Sequence, residues 1–215
     1  VRRDRNRPMR DTRVGMLPPK LAQTIVNLAV ADTESKGTVL DPFCGTGTVL
    51  IEGILAKLPV IGSDLDAAAT TGSRTNLDWI AQNYAVEDPY EVILSDATKI
   101  PKQKHLVQYI VTEPFLGKQK PNAAKLPFVF KGLEKLYLGA FKHWTTLLAD
   151  GASVVIIFPA VAIENKHGKT ITYNLESLID KLAQFGYTTL SEPILYHRPQ
   201  AVVQRQIYRF RFNKA

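Results

Sequence analysis

The chain has 215 residues, 45% of them hydrophobic, enough for one sizeable core at the upper end of a single domain. It has no apolar run of membrane-spanning length and no secretory signal, and its single cysteine, Cys44, excludes an internal disulfide framework and, with four histidines, argues against a structural zinc site; a cytoplasmic protein without a metal is expected. The net charge of +7 is concentrated at the two ends: residues 1–20 carry seven Lys/Arg and two Asp, residues 196–215 carry five Lys/Arg and no acid, and the rest holds fifteen bases against eighteen acids.

Residues 1–20 form a basic segment leading into a domain over 21–215. A near-neutral body with basic ends points to a polyanion-facing surface, or to ends that only solubilise the chain. The chain begins at Val1, which reads as a fragment or processed chain with a domain expected upstream.

Leu21, Ile25, Leu28 and Ala29 share one face of a predicted helix. The β-branched run Thr38-Val39-Leu40 then leads into DPFCGTGTVLIEG, a strand, a glycine turn and a helix start. Gly45 and Gly47 allow a sharp bend and a close ligand approach. A dinucleotide fingerprint would need a third glycine where Leu50 stands, and a phosphate-binding P-loop would need a lysine where Thr48 and Val49 follow Gly47. Asp41 at the strand end repels a pyrophosphate and attracts a cationic ligand, such as an ammonium or sulfonium group. Cys44 within this turn reads as a small packing residue.

The second strand, Val60-Ile61-Gly62, ends at Asp64, roughly 20 residues beyond the glycines, the spacing at which a carboxylate grips ribose hydroxyls. Asp66 is expected to cap the next helix. The third strand, Glu91-Val92-Ile93-Leu94, is followed by Asp96, suited to accept from an adenine amine. A single Asp after a strand is ordinary turn chemistry; three at successive strand ends on one sheet edge point to a ligand. The fourth strand, Tyr109-Ile110-Val111, ends in Thr112-Glu113-Pro114-Phe115.

A long apolar stripe follows, from Leu133 through Leu136, Tyr137, Ala140, Phe141 and Trp144 to Leu147 and Leu148, and then the fully apolar strand 153–158, which fits a central position covered on both faces. Asn174 caps a further predicted helix ended by Gly186. Residues 187–197 and 202–212 read as strands joined at Arg198-Pro199-Gln200, too short for a helix, so one of them runs antiparallel to the rest. The fold class is α/β: a mostly parallel, seven-stranded, Rossmann-like sheet with an antiparallel C-terminal hairpin strand and helices on both faces.

The motifs DPFCGTGTVLIEG, GSDLD and SDAT resemble the first three motifs of class I S-adenosylmethionine-dependent methyltransferases, and the opening RDRNRPMRDTRVGMLPPKLAQTIVNLA is similar to the segment preceding the catalytic domain in the tRNA guanosine-10 N2-methyltransferase family. The resemblance covers essentially the whole chain. It implies S-adenosylmethionine as cofactor, held by Asp41, Pro42, Phe43, Cys44, Gly45, Thr46, Gly47 and Thr48 with Asp64, Leu65, Asp96 and Ala97. It implies tRNA or another structured RNA as substrate, and an upstream RNA-binding domain of the THUMP type or a partner subunit. In amine methyltransferases the fourth strand ends in Asp/Asn-Pro-Pro-Tyr/Phe, whose first residue and a proline carbonyl accept from the target amine while the aromatic stacks on the flipped base. Two acceptors favour a tetrahedral nitrogen and stabilise the positive charge it develops. Here Pro114 and Phe115 match, Thr112 stands where Asp or Asn is expected, and Glu113 replaces the first proline. Either Glu113 or Thr112 therefore orients the amine.

In this reading Arg5, Arg7, Arg10, Arg13 and Lys20, with Arg198 and Arg205, hold RNA phosphates, and Arg209 and Arg211 extend the stripe along the last strand. The function expected is N2-methylation of a guanosine in tRNA. Two alternatives remain: a cofactor-binding but catalytically altered RNA-binding module, and an amine methyltransferase acting on DNA or another substrate. The roughly 70 residues between Asp41 and Thr112 leave no room for the target-recognition segment of DNA enzymes.

Overall fold

The computed structural model describes residues 6–9, 17–32, 37–84, 86–118, 122–164, 170–198 and 201–214. The elements run in the order α1 (Pro19–Val30), β1 (Val39–Asp41), α2 (Thr48–Leu55), β2 (Val60–Asp64), α3 (Ala67–Tyr84), β3 (Tyr90–Leu94), β4 (Val107–Thr112), α4 (Leu126–Trp144), β5 (Leu148–Glu164), β6 (Thr170–Thr172), α5 (Glu176–Ala183), β7 (Tyr187–Thr189), β8 (Ile194–Tyr196) and β9 (Val203–Phe212). The main sheet follows the order β3-β2-β1-β4-β5-β9-β7. Strands β1 to β5 pair in parallel. Strand β9 inserts antiparallel between β5 and β7.

The continuous apolar run of β5 has its predicted physical reason. Val155 and Ile157 face a core shared with α1, α2 and α3, whereas Val154, Ile156 and Phe158 face a second core built by α4 and α5. A strand covered on both sides has no polar face to show. The α4 stripe seals the second core: Tyr137, Phe141 and Trp144 are fully buried. α1 begins with Pro19 in its first turn, where the missing N–H costs nothing, and buries Leu21, Ile25 and Ala29, with Leu28 half-buried against the same core.

Two expectations need correction. The predicted strand 187–197 is two short strands, Tyr187–Thr189 and Ile194–Tyr196, both paired with β9. Pro193 lies between them and has no N–H for the ladder. Strand β5 extends well beyond 153–158, and β6 pairs with its far end, so the sheet has nine strands among the described residues, seven of them on the main path. Leu50, which occupies the place of a third glycine, is accommodated by the strand: a Cβ on Gly62 would lie 2.4 Å from Leu50 Cδ1. Asp66 Oδ1 accepts from the Ala68 N–H at the start of α3. Asn174 Oδ1 accepts from the Glu176 N–H at the start of α5, and that end of the fold turns through Gly186 at φ +92°.

Candidate active site at the C-terminal edge of the sheet

The chain order of the strands reverses between β1 and β4, with β2 and β3 on one side and β5 on the other. In open α/β sheets ligands bind outside the carboxyl ends of the strands at such a switch point. β1 ends on Asp41, β2 on Asp64 and β4 on Thr112, and Asp96 follows β3 by two residues.

The turn after β1 is built by backbone and carboxylate together. The Cys44 N–H donates to the Ser63 carbonyl, tying the turn to β2. The Gly45 N–H donates to Asp64 Oδ2 at 2.9 Å, and Asp64 Oδ1 accepts from the Asp66 N–H. Gly45 and Gly47 have φ of +52° and +84°, in the left-handed region where a side chain is strained. At Gly45 a Cβ would meet nothing within 4 Å, so the turn has open space over it; at Gly47 it would meet Ser73 Oγ at 2.6 Å. α2 starts at Thr48, with Gly47 as its left-handed cap.

Asp41 is buried. Its Oδ1 accepts from the Phe43 N–H at 3.1 Å and from the Thr112 hydroxyl at 2.6 Å. Burial pushes its carboxyl up to about 7 against the pull of these two donors, and the charges of Asp64 and Glu113 push the same way. Asp96 is held below the usual carboxylate range by the N–H and the hydroxyl of Thr98. Burial and the neighbouring Asp41 and Asp64 push the Cys44 thiol up, so it is protonated at neutral pH and is no nucleophile. Ala97 is buried, and its carbonyl accepts from Trp144 Nε1. Leu65 stands out, 74% exposed, beside Asp64.

At the end of β4 the two candidate acceptors separate. Thr112 is fully buried and its hydroxyl donates to Asp41. Glu113 carries a carboxylate held by Arg205. Pro114 is buried. Phe115 is 54% exposed, and its carbonyl accepts from the Tyr137 hydroxyl at 2.7 Å, fixing the loop.

Of the arginines and lysine expected to face RNA, Arg5, Arg10 and Arg13 lie outside the described residues, while Lys20 and Arg198 are exposed. Arg7 and Arg205 are placed differently from the expectation, because each finds a polar partner inside the protein. Arg7 is buried and its Nη1 donates to Thr48 Oγ1 at the start of α2. Arg205 is buried on Glu113. Further along β9, Arg209 donates to Asp32 and Arg211 to the Gly151 carbonyl.

Sequence reasoning missed Asn76, and it placed Tyr137 in the apolar stripe without foreseeing its hydroxyl's hold on the Phe115 carbonyl. Asn76 Oδ1 accepts from the Met9 N–H, and its amide donates to the carbonyls of Met9 and Thr46, clasping the N-terminal segment onto the glycine turn. An asparagine inside a helix carries no local signal for such a role, since its partners lie 30 and 67 residues away.

This strand order, with a glycine turn after β1 and an antiparallel β9, is the Rossmann-like fold of class I methyltransferases. It superposes on TrmN from Thermus thermophilus with a TM-score of 0.68 at 20% identity, covering 98% of this chain and 52% of that one. It superposes on the N-methyltransferase NodS from Bradyrhizobium japonicum WM9, in complex with S-adenosyl-l-homocysteine, with a TM-score of 0.62 at 15% identity, covering 98% and 96%. At these identities the likeness establishes the fold. Residues 7–159 match the family model "RMKL-like, methyltransferase domain", and the chain belongs to that family. Among curated relatives, it is 35% identical over 167 residues to a tRNA (guanine(10)-N2)-dimethyltransferase of Methanothermobacter thermautotrophicus, covering 78% of this chain and 42% of the relative. It is 41% identical over 146 residues to the protein of the same description from Pyrococcus abyssi, covering 67% and 39%. The chain thus spans about two fifths of the length of these relatives.

Proposed function

We propose that this domain is an S-adenosylmethionine-dependent RNA methyltransferase that modifies the N2 amine of a guanosine in tRNA. The observation that carries the reading is the convergence, on one sheet edge, of an acid-lined glycine turn and the segment Glu113-Pro114-Phe115. The described residues contain no cluster of three or more His, Cys, Asp or Glu able to hold a metal ion, and no helix long and apolar enough to cross a membrane.

The residues present fit the cofactor. Open space lies over Gly45. Asp64 and, in its ionised form, Asp41 flank it with negative charge that suits a sulfonium and repels a triphosphate. S-adenosylmethionine supplies, when bound, a methyl group on a positively charged sulfur. The turn Asp41–Thr48, with Asp64, Leu65, Asp96 and Ala97, would hold it, the exposed Leu65 offering an apolar surface to the adenine.

Glu113 is the acceptor for the target amine, since Thr112 is fully buried with its hydroxyl proton given to Asp41, out of reach of a substrate. An ionised carboxylate beside the amine stabilises positive charge developing on nitrogen. The exposed ring of Phe115 gives the base a stacking surface. Lys20 and Arg198 stand exposed to meet phosphates. An upstream RNA-binding domain or partner subunit and a cytoplasmic setting complete the reading; the matched region covers only about two fifths of the curated relatives, so those proteins carry further chain in which such a domain could lie.

The test is tRNA incubated with the protein and cofactor, followed by nucleoside mass spectrometry. Methylated guanosine in tRNA, with no transfer to DNA, is the expected result. A chain that shows neither a thermal shift with the cofactor nor methyl transfer overturns the proposal.

A further inference from the structure

Glu113 lies just past the end of β4, and a residue 92 positions later reaches it. Arg205 Nε donates to Oε1 at 2.5 Å and Nη2 to Oε2 at 3.3 Å. The Glu113 and Arg205 side chains are 12% and 8% exposed, respectively. The arginine is fixed by its backbone on both sides: it sits opposite Pro159 of β5 and Tyr196 of β8. Gln204 closes the β8–β9 hairpin, accepting from the Arg198 N–H and donating to the Arg198 and Ala201 carbonyls.

A planar guanidinium engaging both oxygens sets the plane of the carboxylate as well as its position. A carboxylate has about four lone-pair sites, so two remain for another donor. We propose that Arg205 is the positioning residue of the reaction, holding the Glu113 carboxylate in the one orientation from which its remaining lone pairs accept from the target amine. This rests on the function proposed above and assigns Arg205 a place inside the site, where the sequence had suggested a phosphate contact.

The charges around Glu113 make the role measurable. Arg205 and the more distant Arg198 face it as cations, with Asp41 from β1 and Tyr137 from α4 as the other titratable neighbours. Burial pushes the Glu113 carboxyl up and Arg205 opposes that push. Without Arg205 the carboxyl holds its proton to higher pH, and a protonated carboxyl is a poorer acceptor.

The experiment compares wild type, R205Q and R205K in methyl transfer to tRNA across pH, with cofactor affinity and thermal stability measured alongside. For R205Q, kcat is expected to fall on the order of 10–100-fold near neutrality, as for a misplaced catalytic group. The acidic limb of its pH profile moves to higher pH, while cofactor affinity and the KM for tRNA stay within about threefold. R205K, which keeps the charge but not the two-pronged geometry, recovers the limb and only part of kcat. An unchanged limb, with activity lost only in proportion to unfolded protein, reduces the pair to a structural salt bridge and overturns the proposal. A change confined to the KM for tRNA makes Arg205 an RNA contact and also overturns it. Where R205Q does not fold, the kcat of R205K decides: full activity sinks the proposal. A wild-type chain that transfers no methyl group fails the proposed function itself, a result read in the control before any variant is compared.

Discussion

The Thr112 hydroxyl donates to Asp41 Oδ1 over 2.6 Å, joining the C-terminal ends of two neighbouring parallel strands whose residues lie 71 positions apart. The bond spans the point where the strand order reverses. It holds the fully buried Thr112 against Asp41 beneath the glycine turn, so in the proposed reading Glu113 is the residue left to face a substrate.

Replacing Thr112 by valine keeps most of its volume and removes the donor. A buried Asp41 that keeps the Phe43 N–H but loses the Thr112 hydroxyl costs about 1–3 kcal/mol. Urea denaturation is expected to show that loss, while methyl transfer by the folded fraction persists. Complete loss of transfer in T112V would return the acceptor role to Thr112.

E113Q removes the charge and retains the shape. Methyl transfer is expected to fall on the order of 10²–10³-fold, the scale of losing one transition-state contact. Calorimetry should find cofactor affinity nearly unchanged. Full activity in E113Q would contradict the assignment.

Asp41 gives the protein a defined response to pH. Its carboxyl titrates at about 7 in the folded chain against 3.8 when unperturbed. Between these values the unfolded chain has released a proton that the folded chain keeps. The stability this group contributes is therefore complete below about pH 4 and is lost as pH rises through about 7. D41N escapes that loss, so its stability relative to wild type should rise across this window, by up to a few kcal/mol at about 1.4 kcal/mol per pH unit. The cationic cofactor prefers the ionised carboxylate, so wild-type affinity should increase as pH climbs through about 7, and D41N should lack the increase. Urea denaturation and isothermal titration with the cofactor, each at three pH values, check the two signs.

The two turn glycines separate strain from occupancy. G45A places a methyl group where nothing lies within 4 Å, in a conformation with φ +52°; the fold should lose about 1 kcal/mol and the cofactor should bind at least about tenfold more weakly, because the methyl group occupies ligand space. G47A adds a contact at 2.6 Å with Ser73 Oγ and should be the less stable of the two by thermal melting. Equal cofactor binding by G45A and wild type would move the ligand away from this turn.

RNA binding should weaken steeply with salt, and the slope reports which cations meet phosphate. Substituting exposed Lys20 or Arg198 is expected to lower the slope by about one each, whereas R205Q, whose guanidinium is buried on Glu113, should leave it unchanged. Filter binding across a salt series distinguishes them.

The sequence by itself determined the layered architecture and the acidic edge. Alternating β-branched runs and apolar stripes are local patterns with fixed periods, and an aspartate at a strand end keeps its place whatever the rest of the chain does. The glycine turn was legible for the same reason, since Gly45 and Gly47 are the residues that tolerate its positive φ. The side-chain partners were decided only by the tertiary structure. Thr112 and Glu113 are adjacent in the chain, and they part ways because Asp41 waits beneath one and Arg205 beside the other, 71 and 92 positions distant. Arg7, read as a phosphate contact, is drawn inside by Thr48 across 41 positions. A basic residue records its charge in the sequence but not the direction it faces. That direction follows from which buried polar group lacks a partner, and only the assembled sheet brings such groups together.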